Sequence, residues 1–202
     1  MQILHVIRSM RTRAGGPAFA LRQMAASLEQ ASAHSVIACC EAEDGDVTPG
    51  GQSPTAPFFI FHGGSPVELL RPAPQRLRDL VARADIVHLH GIWDSILIVA
   101  AREARKLGKP LVISPHGMLS PWSMGRHRFR KLPYYRLFTK PMLHGAAAIH
   151  FDTETEAGLA ASRLPRGVPH FIAPILPAEE FYQDPPGYCQ MLWMAAIRRR
   201  IF

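Results

Sequence analysis

The sequence predicts an α/β fold: a single domain built on a Rossmann-like parallel sheet with helices on both faces. Strand-length apolar runs alternate with helix-length amphipathic segments as far as residue 173, and parallel neighbours need crossovers, which carry the helices. Asp85–His90 is rich in Ile, Val and Leu, and Ala146–Phe151 is small and apolar enough to be buried on both sides. The chain's 202 residues suffice for one sizeable core. With 48% apolar and 19% charged residues it lies far from the disordered class.

A first strand is expected at Gln2–Ile7, a loop at Arg8–Gly16 and a helix at Pro17–Glu29, with Pro17 in its first turn and Phe19, Met24 and Leu28 facing inward. His34–Cys40 reads as the second strand and puts Cys39 and Cys40 on opposite faces. Glu41–Pro57, punctuated by Pro49, Gly50-Gly51, Pro54 and Pro57, is a loop, and Phe58–Phe61 a short third strand. Val67–Arg83 reads as helical despite Pro72 and Pro74, Asp85–His90 as the fourth strand and Ser95–Leu107 as a helix. Leu111–Ser114 is the fifth strand, Arg128–Leu143 a helix interrupted or bent at Pro133, and Ala146–Phe151 the sixth strand. Thr153–Ala161 is helical, with Thr153 and Glu156 spaced as a capping box, and His170–Ala173 is the last strand. Prolines 174, 177, 185 and 186 then dissolve the pattern, so residues 174–202 are expected to be irregular.

No run approaches the roughly 20 apolar residues of a membrane span, and the first apolar stretch reaches Arg8 without a cleavage-like site. A cytoplasmic protein is expected. The three cysteines suggest neither a disulfide framework nor a zinc site, and the 10 histidines lack any His-x-x-x-His spacing, so no metal is expected.

The net charge of +7 is concentrated at Arg126 to Arg136 and at Arg198 to Arg200. Arg126, Arg128, Arg130 and Lys131 interleave with Trp122, Phe129, Tyr134 and Tyr135, which suits either an anionic membrane surface or a solvated basic helix face. Nucleic acid ranks below both.

Arg13-Ala14-Gly15-Gly16-Pro17, between the first strand and helix, is either a tight turn or a cradle for a diphosphate. Glu41 stands roughly where dinucleotide binders keep a ribose-binding acid, although their three-glycine fingerprint is missing. His88 and His90 share a strand face; His88 reads as a core residue, while His90 and Trp93 suit a crevice lining. Asp94 is a candidate cap for the next helix. His116 ends an apolar strand amid Ser114, Pro115, Gly117 and Pro121, the place where open α/β sheets collect ligands, and is the main catalytic candidate. Asp152, Glu154 and Glu156 are explained by capping and solvation, and no Gly-x-Ser-x-Gly elbow supplies a hydrolase nucleophile.

Together Ile3-Leu4-His5-Val6-Ile7, Gly15-Gly16-Pro17, Asp85-Ile86-Val87-His88-Leu89-His90-Gly91, Ser114-Pro115-His116-Gly117-Met118-Leu119 with Pro121-Trp122, and Ala148-Ile149-His150-Phe151 followed by Thr153-Glu154 and Glu156-Ala157 resemble family-4-like glycosyltransferases. The resemblance covers residues 1–173 and implies the N-terminal, acceptor-side domain of a B-type enzyme, in which two Rossmann-like domains face each other across a cleft. It implies a nucleotide-diphosphate sugar donor, a glycan or lipid-linked acceptor, retention of anomeric configuration and no cofactor or metal; the membrane reading of the basic segment would add peripheral contact with the inner face of the cell membrane. By the same resemblance Gly15 and Gly16 approach the donor diphosphate, His116 lies beside the donor sugar or its phosphate, and Thr153 and Glu154 border the cleft.

The second domain, with its basic phosphate clamp and its paired glutamates, does not appear in the sequence, so the chain is expected to be an incomplete enzyme, inactive alone. A truncation or shifted frame would give such a tail. The rival readings are an NAD(P)-dependent oxidoreductase, resting on Glu41, and a non-catalytic module binding a nucleotide or anionic lipid, resting on the basic segment.

Overall fold

The computed structural model describes residues 1–42, 56–61 and 66–174. Its core is a seven-stranded sheet in the order β3-β2-β1-β4-β5-β6-β7. The strands are β1 (Gln2–Ile7), β2 (His34–Cys39), β3 (Phe58–Ile60), β4 (Ile86–His90), β5 (Leu111–Ser114), β6 (Ala148–Phe151) and β7 (His170–Ile172). Every pairing is parallel. The sheet is therefore Rossmann-like, as expected, and each strand lies within two residues of its expected bounds.

Helix α1 (Gly16–Gln30) covers one face, burying Ala18, Leu21, Met24, Ala25 and Leu28 against Ile3, Ile7 and Ile37. Phe19, expected inward, is exposed, because it sits about 100° around the helix from Ala18 and off that stripe. The other face packs Leu4, Val6, Val87, Leu89, Ile113 and Ile149 beneath α2 (Gln75–Arg83), α3 (Ser95–Lys106) and α6 (Lys140–His144). The expected alternation at the end of β2 holds: Cys39 packs on the α1 side and Cys40 against the opposite cluster.

The expected helix over 67–83 is divided. A 3-10 turn, Pro66–Leu70, is separated from α2 by Arg71–Pro74, since a proline disfavours helical backbone in the residue before it. The expected helix over 128–143 is present: α5 (Arg128–Tyr134), a π-turn at Tyr135–Thr139 and α6 follow one another without a break in helical backbone, and a short α4 (Pro121–Gly125) precedes them. Pro133 and Pro141 each lack an N–H, and the wider helical register falls between them. Helix α7 (Glu154–Ala160) crosses from β6 to β7, capped by Thr153, whose hydroxyl accepts from the Glu156 N–H at 3.1 Å. Among the described residues no helix is long and apolar enough to cross a membrane. The expected irregular tail lies, from residue 175 on, outside them, as does Cys189.

Candidate functional site at the carboxyl edge of the sheet

The chain runs outward from β1 to β3 in one direction and from β4 to β7 in the other, so the strand order reverses between β1 and β4. Loops leaving adjacent strands diverge at such a point and open a crevice at the carboxyl edge. Arg8, just past β1, donates to Glu41 Oε1 at 3.0 Å and lies 3.7 Å from Asp94 Oδ1, past β4. The hydrogen bond to Arg8 lowers the Glu41 pKa, whereas burial raises that of Asp94 more than Arg8 lowers it. Asp94 holds the N-cap position of α3 without a side-chain capping bond, so it serves the ion pair and not the expected cap. Glu41 is likewise tied to Arg8, at the place where a ribose-binding acid was considered.

Gly15 is the N-cap of α1 with φ of 87°, a conformation open to glycine and costly for other residues. Both Gly15 and Gly16 are exposed, and a Cβ on either would meet nothing within 4 Å, so the unsatisfied N–H groups opening α1 are accessible to an anion.

Past β5, His116 takes a left-handed backbone, φ 48°, followed by Gly117 at 74°. That places His116 at the sheet edge, yet its side chain is only 6% exposed and both ring nitrogens have partners. Nδ1 is 3.1 Å from Asp152 Oδ2, and Nε2 is 3.1 Å from His90 Nδ1. Glu156 ties the two strand ends together, accepting from the N–H groups of Gly117 at 2.7 Å and Asp152 at 3.0 Å. The capping box is therefore displaced, its carboxylate reaching past Thr153 to the preceding residue and to a neighbouring loop. Thr153 and Glu154 stand exposed beside it.

Sequence reasoning missed what lies beneath. His5, His88, His90 and His150 are buried on the sheet face that α1 partly covers, together with Ser35 and Ser114. His90 Nε2 is 3.1 Å from His5 Nδ1, and His5 Nε2 is 3.4 Å from Ser35 Oγ. Ser114 Oγ lies 2.7 Å from both His88 Nε2 and His150 Nδ1, and His150 Nε2 donates to the Ala173 carbonyl at 2.7 Å. Burial lowers the pKa of His5 to about 3 and of His150 to about 4, and pushes His88 and His90 well below the ordinary value. All four are neutral at pH 7. His90 thus lies under His116 and does not line the crevice, which corrects the sequence reading; His88 is the core residue it was taken for. His5, His88 and His90 also offer ring nitrogens within 4.8 Å of one another, the trio among the described residues that could hold a metal ion.

Trp93 is half-buried, 6.1 Å from the Tyr134 ring with Lys131 5.1 Å over its face. The Trp93 Nε1 and Tyr134 hydroxyl are buried without hydrogen-bond partners among the described residues. Lys131 also donates to the Ser123 carbonyl at 2.6 Å, so it braces α4 against Trp93 and is not part of an outward basic face, contrary to expectation. Arg126, Arg128 and Arg130 are exposed, Arg126 and Arg128 lying over the rings of Trp122 and Phe129, which are 71% and 85% exposed.

Solved structures share this architecture. HepE from Anabaena in complex with UDP-glucose superposes with a TM-score of 0.62 at 16% identity, covering 97% of this chain and 50% of that one. A portion of sucrose-phosphate synthase from Thermosynechococcus elongatus gives 0.57 at 14% identity, covering 100% of this chain and 99% of that one. UDP-GlcNAc 2-epimerase from Methanocaldococcus jannaschii gives 0.53 at 13% identity, covering 86% and 45%. The chain spans about half the length of the HepE and epimerase chains it matches. At these identities the likeness is one of fold. No curated protein matches. The Glycosyl transferase 4-like domain matches residues 15–174, a stretch that runs from the glycine turn through the His116 strand end to the close of β7. The chain belongs to the glycosyl transferase 4-like family.

Proposed function

We propose that this chain forms the acceptor-side wall of a retaining glycosyltransferase that moves a hexosyl group from a nucleotide-diphosphate sugar to a glycan or lipid-linked acceptor. The observation that carries the reading is the carboxyl edge of the sheet. The open N–H groups at Gly15 and Gly16, the Arg8–Asp94 pair and the His116 strand end all belong to loops at that edge, within a domain of the family. Solved structures of similar fold hold UDP and UDP-glucose, which supports a nucleotide-sugar donor.

Departure of a nucleoside diphosphate develops negative charge on the leaving oxygen, and pre-placed N–H groups lower the barrier by meeting that charge. Gly15 and Gly16 supply such groups from the backbone, and Arg8 adds a cation near the crevice. His116 contributes an imidazole N–H at the strand end once an acceptor oxygen replaces Asp152. Trp93 and Tyr134, with an indole N–H and a phenol not otherwise engaged, suit the hydroxyls and apolar ring face of a sugar acceptor. No carboxylate is assigned as nucleophile. Arg126, Arg128 and Arg130, with Trp122 and Phe129 exposed beside them, would hold the domain against an anionic inner membrane surface.

Titration of isotopically labelled chain with UDP-glucose and, separately, with NAD tests this. The amide signals of Gly15, Gly16 and Gly117 should move with the nucleotide-sugar and not with NAD. A response to NAD alone would return the reading to an oxidoreductase. Because the sheet supplies one wall of a two-walled cleft, the purified chain is expected to transfer little or no sugar; rapid transfer would overturn that part.

A further inference from the structure

The buried histidines fall into two hydrogen-bonded rows that come together at Asp152, whose Oδ1 lies 4.0 Å from His150 Nε2, and the end of each row decides where every proton in it sits. A neutral imidazole donates from one nitrogen and accepts at the other. The Ala173 carbonyl can only accept, so His150 carries its proton on Nε2 and its Nδ1 accepts from the Ser114 hydroxyl. That hydroxyl must then accept from His88 Nε2. His88 and His150 are therefore Nε2–H tautomers.

The second row ends on a carboxylate. Asp152 Oδ2 accepts from His116 Nδ1, which leaves His116 Nε2 to accept from His90 Nδ1. His90 Nε2 then accepts from His5 Nδ1, and His5 Nε2 from the Ser35 hydroxyl. Every link points the same way, from β2 across β1 and β4 to the carboxyl edge. We propose that Asp152 is a positioning residue whose carboxylate fixes His116, His90 and His5 as Nδ1–H tautomers, so that the Nδ1 edge of His116, at the carboxyl end of the sheet, is a committed donor.

The consequence is selective. An oxygen that accepts, from a phosphate or a sugar hydroxyl, can take the place of Asp152 at His116 Nδ1 and leave the row untouched. A group that donates can bind there only if all three imidazoles reverse, with His5 finally donating from Nε2 to Ser35 Oγ. While Asp152 holds the row in this direction, an acceptor oxygen is the kind of atom that can approach His116 Nδ1 without reversing it. The identity of that oxygen rests on the glycosyltransferase reading; the proton positions do not.

Nitrogen-15 imidazole spectra of the full chain at neutral pH, with no nucleotide-sugar present, read the tautomers directly. His5, His90 and His116 should be Nδ1–H, and His88 and His150 Nε2–H. In Asp152→Ala the first three should lose that tautomer together and shift toward Nε2–H, while His88 keeps its own and reports an intact fold. Ser35→Ala, at the other end, should leave all five unchanged. Mixed tautomers at His5, His90 and His116 in the unaltered chain would overturn the proposal, as would an Asp152→Ala effect confined to His116. These outcomes are independent of whether the chain transfers sugar.

Discussion

Ser114 is the hinge of the shorter histidine row, accepting from one imidazole and donating to another, with no access to water. Replacing it by alanine strands a buried N–H on His88 and a buried lone pair on His150, and each stranded group costs roughly 1–3 kcal/mol. Ser114→Ala should therefore lower the urea midpoint markedly, whereas Ser162→Ala, on an exposed turn, should shift stability by less than about 0.5 kcal/mol. Equal effects would mean the row contributes nothing to stability. At this scale the sequence was informative where chemistry is local: the glycine turn, the strand-end position of His116 and the Thr153 cap all follow from near neighbours. The rows were hidden because their members lie far apart in the chain, His5 opposite His88 only through the register that also sets Ile3 against Ile86. Spacing rules search one helix or one loop, and these nitrogens come from several strands. The available signal was period two: with the strand order known, His5, His88, His90 and His150 all fall on one buried face.

Among the elements, the helix from α5 to α6 keeps its expected bounds but carries a π-turn that its pattern did not show. Pro133 and Pro141 flank the π-turn, and Lys131 is drawn inward over Trp93. Arg126, Arg128 and Arg130 stay outside beside Trp122 and Phe129, with Arg136 and Lys140 exposed further along. Vesicles containing anionic phospholipid should float the chain at low salt and release it at 1 M salt, where the screening length is about 3 Å. Charge reversal at all three arginines should abolish flotation, while Lys131→Ala should leave it largely intact. Flotation indifferent to the arginines would remove the membrane reading. The split of residues 66–83 teaches the same lesson in reverse: Pro72 and Pro74 announced a break that the apolar periodicity on either side seemed to override.

For the whole molecule, four neutral imidazoles in the interior make folding a proton-linked event. Unfolded, each binds a proton below its ordinary value of 6.5; folded, His5 and His150 do so only near 3 and 4, and His88 and His90 also resist. The unfolded chain therefore holds more protons as pH falls through 6.5, and the native state loses up to about 1.4 kcal/mol per pH unit for each histidine. Denaturant midpoints should be highest near pH 7 and above and decline steeply from 6.5 toward 4. A flat profile over that range would show the imidazoles to be hydrated. The rows also constrain how such a molecule can change over time. Aliphatic side chains could fill the same face with no polar atom left over, but any single replacement orphans its neighbours first. A seam built this way tends to be kept entire or abandoned entire, and the intermediates between those endings are the sequences least able to fold.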